Sequence, residues 1–144
     1  MRDLIAHEKG MDDRWNIKLA RGGLIEIEFI SQFLVLQHSK QFPELICRKA
    51  DEILGRAASH DLIDRNKADR LCSAYVLYAT IQQVIQLAVG GKFEPERFAH
   101  GVLRRLASAA HLPDFKTLDR VLFESQHDVR QIFEELLPGQ AAIV

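Results

Sequence analysis

One stretch restricts the fold more than any other. Residues 24–40 carry Leu24, Ile25, Ile27, Phe29, Ile30, Phe33, Leu34, Val35 and Leu36 in close succession. In helical projection, at about 100° per residue, these side chains point in nearly every direction. A helix that is apolar on all sides belongs inside a bundle, where neighbours cover each face. Ile25-Glu26-Ile27-Glu28-Phe29 alternates as a strand would, but the apolar run continues to Leu36, past the usual strand length. The expected architecture is therefore all-α: a single helical bundle of about five to six helices around one buried central helix.

The rest of the chain has the same period. Phe115, Leu118, Leu122, Val129, Phe133 and Leu136 form one amphipathic stripe, with Asp114 as its N-cap and Pro138-Gly139 as its end. Phe98, Val102, Leu106 and Ala109 form a second, with Pro95 at the first helical position. Ile46, Ala50, Ile53, Leu54 and Ala57 form a third. Asp64 caps a long helix that runs to about Val89 and stops at Gly90-Gly91, and Tyr75 and Tyr78 read as its core aromatics. One domain, 1–144, is expected. Residues 1–22 form a charged helix and a basic loop, 23–137 the bundle, and 138–144 a frayed tail.

Composition serves to exclude. With 19 basic and 20 acidic side chains the net charge is -1, so the chain is no globally basic nucleic-acid binder. The most apolar stretch, 71–89, is interrupted by Ser73, Thr80, Gln82, Gln83 and Gln86. A membrane span needs ~20 predominantly apolar residues, so a buried helix is expected and no membrane contact. Met1-Arg2-Asp3-Leu4-Ile5-Ala6-His7-Glu8-Lys9 lacks the apolar core of a signal peptide, and a cytoplasmic location follows. Cys47 and Cys72 have no C-x-x-C neighbour and no His at zinc spacing, and read as reduced core thiols. His60-Asp61 and His127-Asp128 lack the further ligands a dinuclear hydrolase needs, and Arg104 and Arg105 read as solvated.

The informative segment runs from Trp15 to Gln32. From residue 14 to 23 every charge is positive, Arg14, Lys18 and Arg21, and Gly22-Gly23 then turns the chain into the central helix. Basic side chains beside the free amides of a helix N-terminus suit a phosphate; the same residues also suit an ordinary helix start with solvated cations. Glu26 and Glu28 point about 200° apart on a helix and cannot grip one metal ion together. Glu28 shares a face with Gln32 and Ser39, a polar seam on an apolar helix. A carboxylate buried there needs a cation from Lys18, Arg21 or a neighbouring helix; its alternative task is to face a nucleotide site or a partner domain.

Lys18-x-x-Arg21-Gly22-Gly23-Leu24-Ile25-Glu26-Ile27-Glu28-Phe29-Ile30-x-Gln32 resembles the signature of the glutamine synthetase adenylyltransferases, the glutamate–ammonia-ligase adenylyltransferases of bacterial nitrogen control. In that family the signature opens the helical domain that follows each nucleotidyltransferase domain, and PII uridylyltransferases carry a related one. The resemblance covers about 1–137 and is sharp over 15–36. It implies a helical accessory domain serving ATP- and Mg²⁺-dependent transfer of AMP to a tyrosine of glutamine synthetase. The implied partners are its own nucleotidyltransferase domain, glutamine synthetase and the PII signal protein. Lys18, Arg21, Gly22 and Gly23 would lie near nucleotide phosphates, and Glu26, Glu28 and Gln32 would support that loop or the interface. The helix at 119–137 resembles the last helix of the adenylylating half; the deadenylylating half or a PII uridylyltransferase carries an equivalent.

The family's chemistry needs a Gly-Ser loop and an Asp-x-Asp pair to hold triphosphate and Mg²⁺. Neither occurs here, and Glu26-Ile27-Glu28 lies on a helix with the wrong geometry. The chain is therefore expected to be a fragment of a larger enzyme, with no catalytic or metal-binding residue of its own, and inactive in isolation. A docking module for glutamine synthetase or PII that takes no part in chemistry is the other reading.

Overall fold

A computed structural model describes residues 13–88 and 93–137. These contain five α-helices: α1 Leu24–His38, α2 Ala50–Ser59, α3 Arg65–Ala88, α4 His100–Ala109 and α5 Phe115–Leu136. Two 3-10 turns, Pro43–Leu45 and Pro95–Arg97, join them, and the all-α expectation holds. The charged first helix, the Gly90-Gly91 and Pro138-Gly139 stops and the tail at 138–144 lie outside the described residues.

The hub of the bundle is α3, which packs against all four other helices, whereas α1 packs against α2, α3 and α5. The core joins Ile27, Ile30 and Leu34 of α1 to Leu54 and Ala57 of α2. Leu71, Tyr78 and Ile81 of α3, Leu106 of α4 and Leu118, Leu122, Val129 and Phe133 of α5 complete it. Each fully buried aliphatic side chain among these contributes roughly 1.5–3 kcal/mol relative to its exposed state.

The expectation of a fully enclosed central helix is corrected. Phe29 of α1 is 44% exposed and Leu36 83%, and Glu28 and Gln32 also face outward. Three neighbours cover one side of α1 and leave the other bare. The long helix is corrected too. It is central, yet only 22% of its most apolar window is buried. At 24 residues it spans about 36 Å. The ten-residue helices α2 and α4 are far too short to cover that length.

Local signals fared better. Asp64 Oδ1 accepts the Asn66 amide at 3.3 Å, and Asp114 Oδ1 accepts the Thr117 amide at 2.7 Å, so both caps stand where expected. Pro95 instead opens a 3-10 turn, and α4 begins five residues later at His100. Ile46 is not part of a helical stripe; it ends the first 3-10 turn and is exposed. Tyr78 is fully buried and Tyr75 half-buried. Cys47 and Cys72 are free and half-buried, Cys72 packs against the core, and burial raises its thiol above the usual value.

Candidate functional site

The segment 13–23 is a series of tight turns. Leu19 and Ala20 amides donate to the Asn16 carbonyl, at 3.1 and 2.8 Å, which buries Ile17 and Ala20 beneath the start of α1. The chain then reverses at Gly22, where φ is +72°. Two close approaches fix glycine here. A Cβ on Gly22 would lie 1.7 Å from the Gln126 carbonyl oxygen, and one on Gly23 would lie 2.4 Å from the Ile17 oxygen. No side chain fits in either place.

This corner is bonded into the bundle from two helices. Tyr78 of α3 donates its hydroxyl to the Gly22 carbonyl at 2.7 Å, and burial, helped by the Glu26 and Asp128 charges, holds that phenol well above its usual value. On α5, Gln126 Nε2 donates to the Arg14 carbonyl at 2.8 Å, while Asp119 pairs with Arg14 at 3.1 Å. Arg130 Nη1 donates to Glu26 Oε2 at 2.8 Å. Arg130 also reaches Glu134 at 3.1 Å and lies over the Phe133 ring.

Glu26, only 1% exposed, is thus the buried carboxylate, and Glu28 is exposed. The expectation placed the buried charge on Glu28; the helix rotates the other way because Arg130 of α5 meets α1 on the Glu26 side. Burial raises the Glu26 carboxyl above the usual 4.5, against the opposing pull of Arg130 and the Gly22 backbone. Its Oε1 is buried with no hydrogen-bond partner.

The free-amide argument for a phosphate is corrected as well. Gly23 N–H donates to Ala20 O at 2.8 Å, Leu24 N–H to Ile17 O at 2.9 Å, and Ile25 N–H to Lys18 O at 3.1 Å. The preceding turn thus takes up these three amides at the start of α1. Arg14 is engaged by Asp119, which leaves Lys18 and Arg21, both exposed at the corner, as the cations available. The neighbouring cleft, lined by Trp15, Phe93 and Phe115, carries Asp13, Glu94, Glu96 and Asp119 against Arg14, and its negative charge does not suit a phosphate.

The expected site residues therefore divide. Gly22, Gly23 and Glu26 face inward and build the corner. Lys18, Arg21, Glu28 and Gln32 face outward with Phe29 and Leu36, along one strip of the turn and α1. Among the described residues no group of three or more His, Cys, Asp or Glu is placed to hold a metal ion. Sequence reasoning missed Gln126 and Arg130. A signal for Gln126 was present: it sits between Leu122 and Val129 inside the apolar stripe of α5, where a polar side chain needs a buried partner.

Comparison with known proteins gives this surface a context. The family profile described as GlnD PII-uridylyltransferase matches residues 1–137. A "Bifunctional glutamine synthetase adenylyltransferase/adenylyl-removing enzyme" of Rhodopseudomonas palustris (strain BisB5) is 38% identical over 142 residues, 99% of this chain. Proteins of the same description are 40% identical over 98% of the chain in Xanthobacter autotrophicus (strain ATCC BAA-1158 / Py2) and 37% identical over 96% in Bradyrhizobium diazoefficiens. The chain spans 14% of the length of each of these relatives.

Proposed function

We propose, since this chain belongs to the GlnD PII-uridylyltransferase family, that it is the helical accessory domain of a glutamine synthetase adenylyltransferase. The similarity that runs through nearly the whole chain to bifunctional adenylyltransferases carries the reading. The outward strip supports it. Lys18 and Arg21 lie at one end, and Ile25, Glu28, Phe29, Gln32 and Leu36 continue along α1, a mixed apolar and polar face of the kind domains use to pack together.

In this reading the strip lies against a nucleotidyltransferase domain of the same polypeptide. That domain would hold ATP and Mg²⁺ on a Gly-Ser loop and an Asp-x-Asp pair, neither of which occurs in this sequence. Lys18 and Arg21 face the phosphates or the target tyrosine loop, and Glu28 and Gln32 hold that loop in place. The corner beneath them is rigid, so the cations are presented at a fixed position. The domain acts in the cytoplasm on glutamine synthetase, under PII control, and is inactive alone. The C-terminal, adenylylating half is its place.

In the full-length enzyme, Lys18→Ala with Arg21→Ala should lower AMP transfer to glutamine synthetase by roughly 10-fold or more, with Tm nearly unchanged. Unaltered transfer overturns the assignment. A second reading rests on the family profile itself: the corresponding domain of a PII uridylyltransferase. Transfer of UMP to PII, with no AMP transfer to glutamine synthetase, would select it.

A further inference from the structure

We propose that the outward face of α3 is an intramolecular docking surface, covered by an uncharged, apolar face of another domain of the same polypeptide. The inference rests on the reading of this chain as one domain of a longer protein.

The observation is a mismatch between composition and burial. All the charges of α3 fall before residue 71: Arg65, Lys67, Asp69 and Arg70. Residues 71–88 contain no Asp, Glu, Lys or Arg. Such a run is normal for a helix sealed inside a core, yet about a fifth of this one is buried. Leu71, Ala74, Tyr78 and Ile81 take the inward side. Opposite them, Cys72, Val76, Ala79, Gln83 and Leu87 follow one another at helical spacing in one stripe. Val76 is 58% exposed and Leu87 82%, and Ala79 and Gln83 are exposed beside them.

The other helices show what this protein does with a face that meets water. The exposed positions of α5 include Lys116, Arg120, Glu124, Glu134 and Glu135; those of α4 include Arg104 and Arg105; those of α2 include Glu52 and Arg56. The charge-free stretch 71–88 of α3 has no counterpart on α2, α4 or α5; on α1 the shorter stretch 29–38 also lacks Asp, Glu, Lys and Arg. Depletion of charge marks the centre of a lasting interface. The relatives supply the polypeptide to cover it, since this chain is 14% of their length. A tethered domain arrives at a high effective concentration, so a single helix face suffices where two free proteins would need more area.

By length and composition α3 is also the one described helix able to cross a membrane. To do so it would have to leave the four helices packed on it, and the tethered occupant requires no such rupture.

The test labels cysteines in the full-length polypeptide. Cys47 and Cys72 are replaced by Ser, and Val76→Cys, Gln83→Cys and Arg105→Cys are made singly. Maleimide reaction rates are read by mass spectrometry, with position 105 on α4 as the exposed reference. Positions 76 and 83 should react at least ~10-fold more slowly than position 105, unchanged over about 100-fold dilution. Adding Ala79→Glu should bring position 76 up to the reference rate. Equal rates at all three positions overturn the proposal. Protection lost on dilution overturns it in favour of a second copy, and protection seen only with phospholipid vesicles overturns it in favour of a lipid surface. AMP transfer is not read, so the outcome is independent of the Lys18 and Arg21 variants.

Discussion

Glu26 and Arg130 meet where two charges are costly to bury, and the pair is tolerable because each neutralises the other. Removing one partner alone strands the second. Arg130→Met should therefore cost roughly 3–5 kcal/mol near neutral pH. The cost should shrink as pH falls towards 4.5, the ordinary glutamate value, since a protonated Glu26 needs no cation. The native protein has the same sign. Glu26 is raised, so the folded state holds its proton more tightly than the unfolded state. That contribution is full below 4.5 and is lost as pH rises through the raised value. Urea unfolding of both proteins across this range measures it, and a pH-independent cost contradicts it. The sequence showed that Glu26 and Glu28 must part company. It did not show which one goes inside, because the deciding residue lies 104 positions away. Gln32 and Ser39 suggested a seam under Glu28, and nothing local argued against it.

At the scale of the element, what could be read in advance was what the chain decides within a few residues. Asp64 and Asp114 cap α3 and α5 because an N-cap is a contact across two or three positions. The stripe of α5 was legible for the same reason. Pro95 misled because a fixed φ suits a 3-10 turn as well as a helix. Neighbours also decided the orientation of α1, which periodicity cannot count. The ends of α2 and α4 were not foreseen. Asp61 and His111 adopt φ of 58° and 61°, and the following amides, Leu62 and Leu112, return to Ala57 and Ala107 at 2.9 Å. This left-handed stop normally carries glycine. His111→Gly should raise stability by roughly 0.5–1 kcal/mol, read as a higher urea midpoint at unchanged slope. A lower midpoint would mean that the His111 side chain stabilises the stop.

Across the described residues, the first turn and the start of α1 are fastened to α5. Arg14 with Asp119, Gln126 with the Arg14 carbonyl, and Arg130 with Glu26 are separated by 105, 112 and 104 residues. A chain ending before residue 115 would keep α1 to α4 but lose every one of these partners, along with Leu118, Leu122 and Phe133 from the core. It should form no smaller bundle: thermal unfolding by circular dichroism should lose its cooperative step. A sharp transition in the shortened chain would show that α5 is an addition to a self-sufficient core. The same long ties matter while the protein is being made. A ribosome adding ~5–20 residues per second releases the Gly22-Gly23 corner several seconds before it has synthesised Gln126 and Arg130. Through that interval Ile17 and Ile27 have no lid and Glu26 has no cation. The newborn chain must wait, held open, for α5 to close over the start of α1.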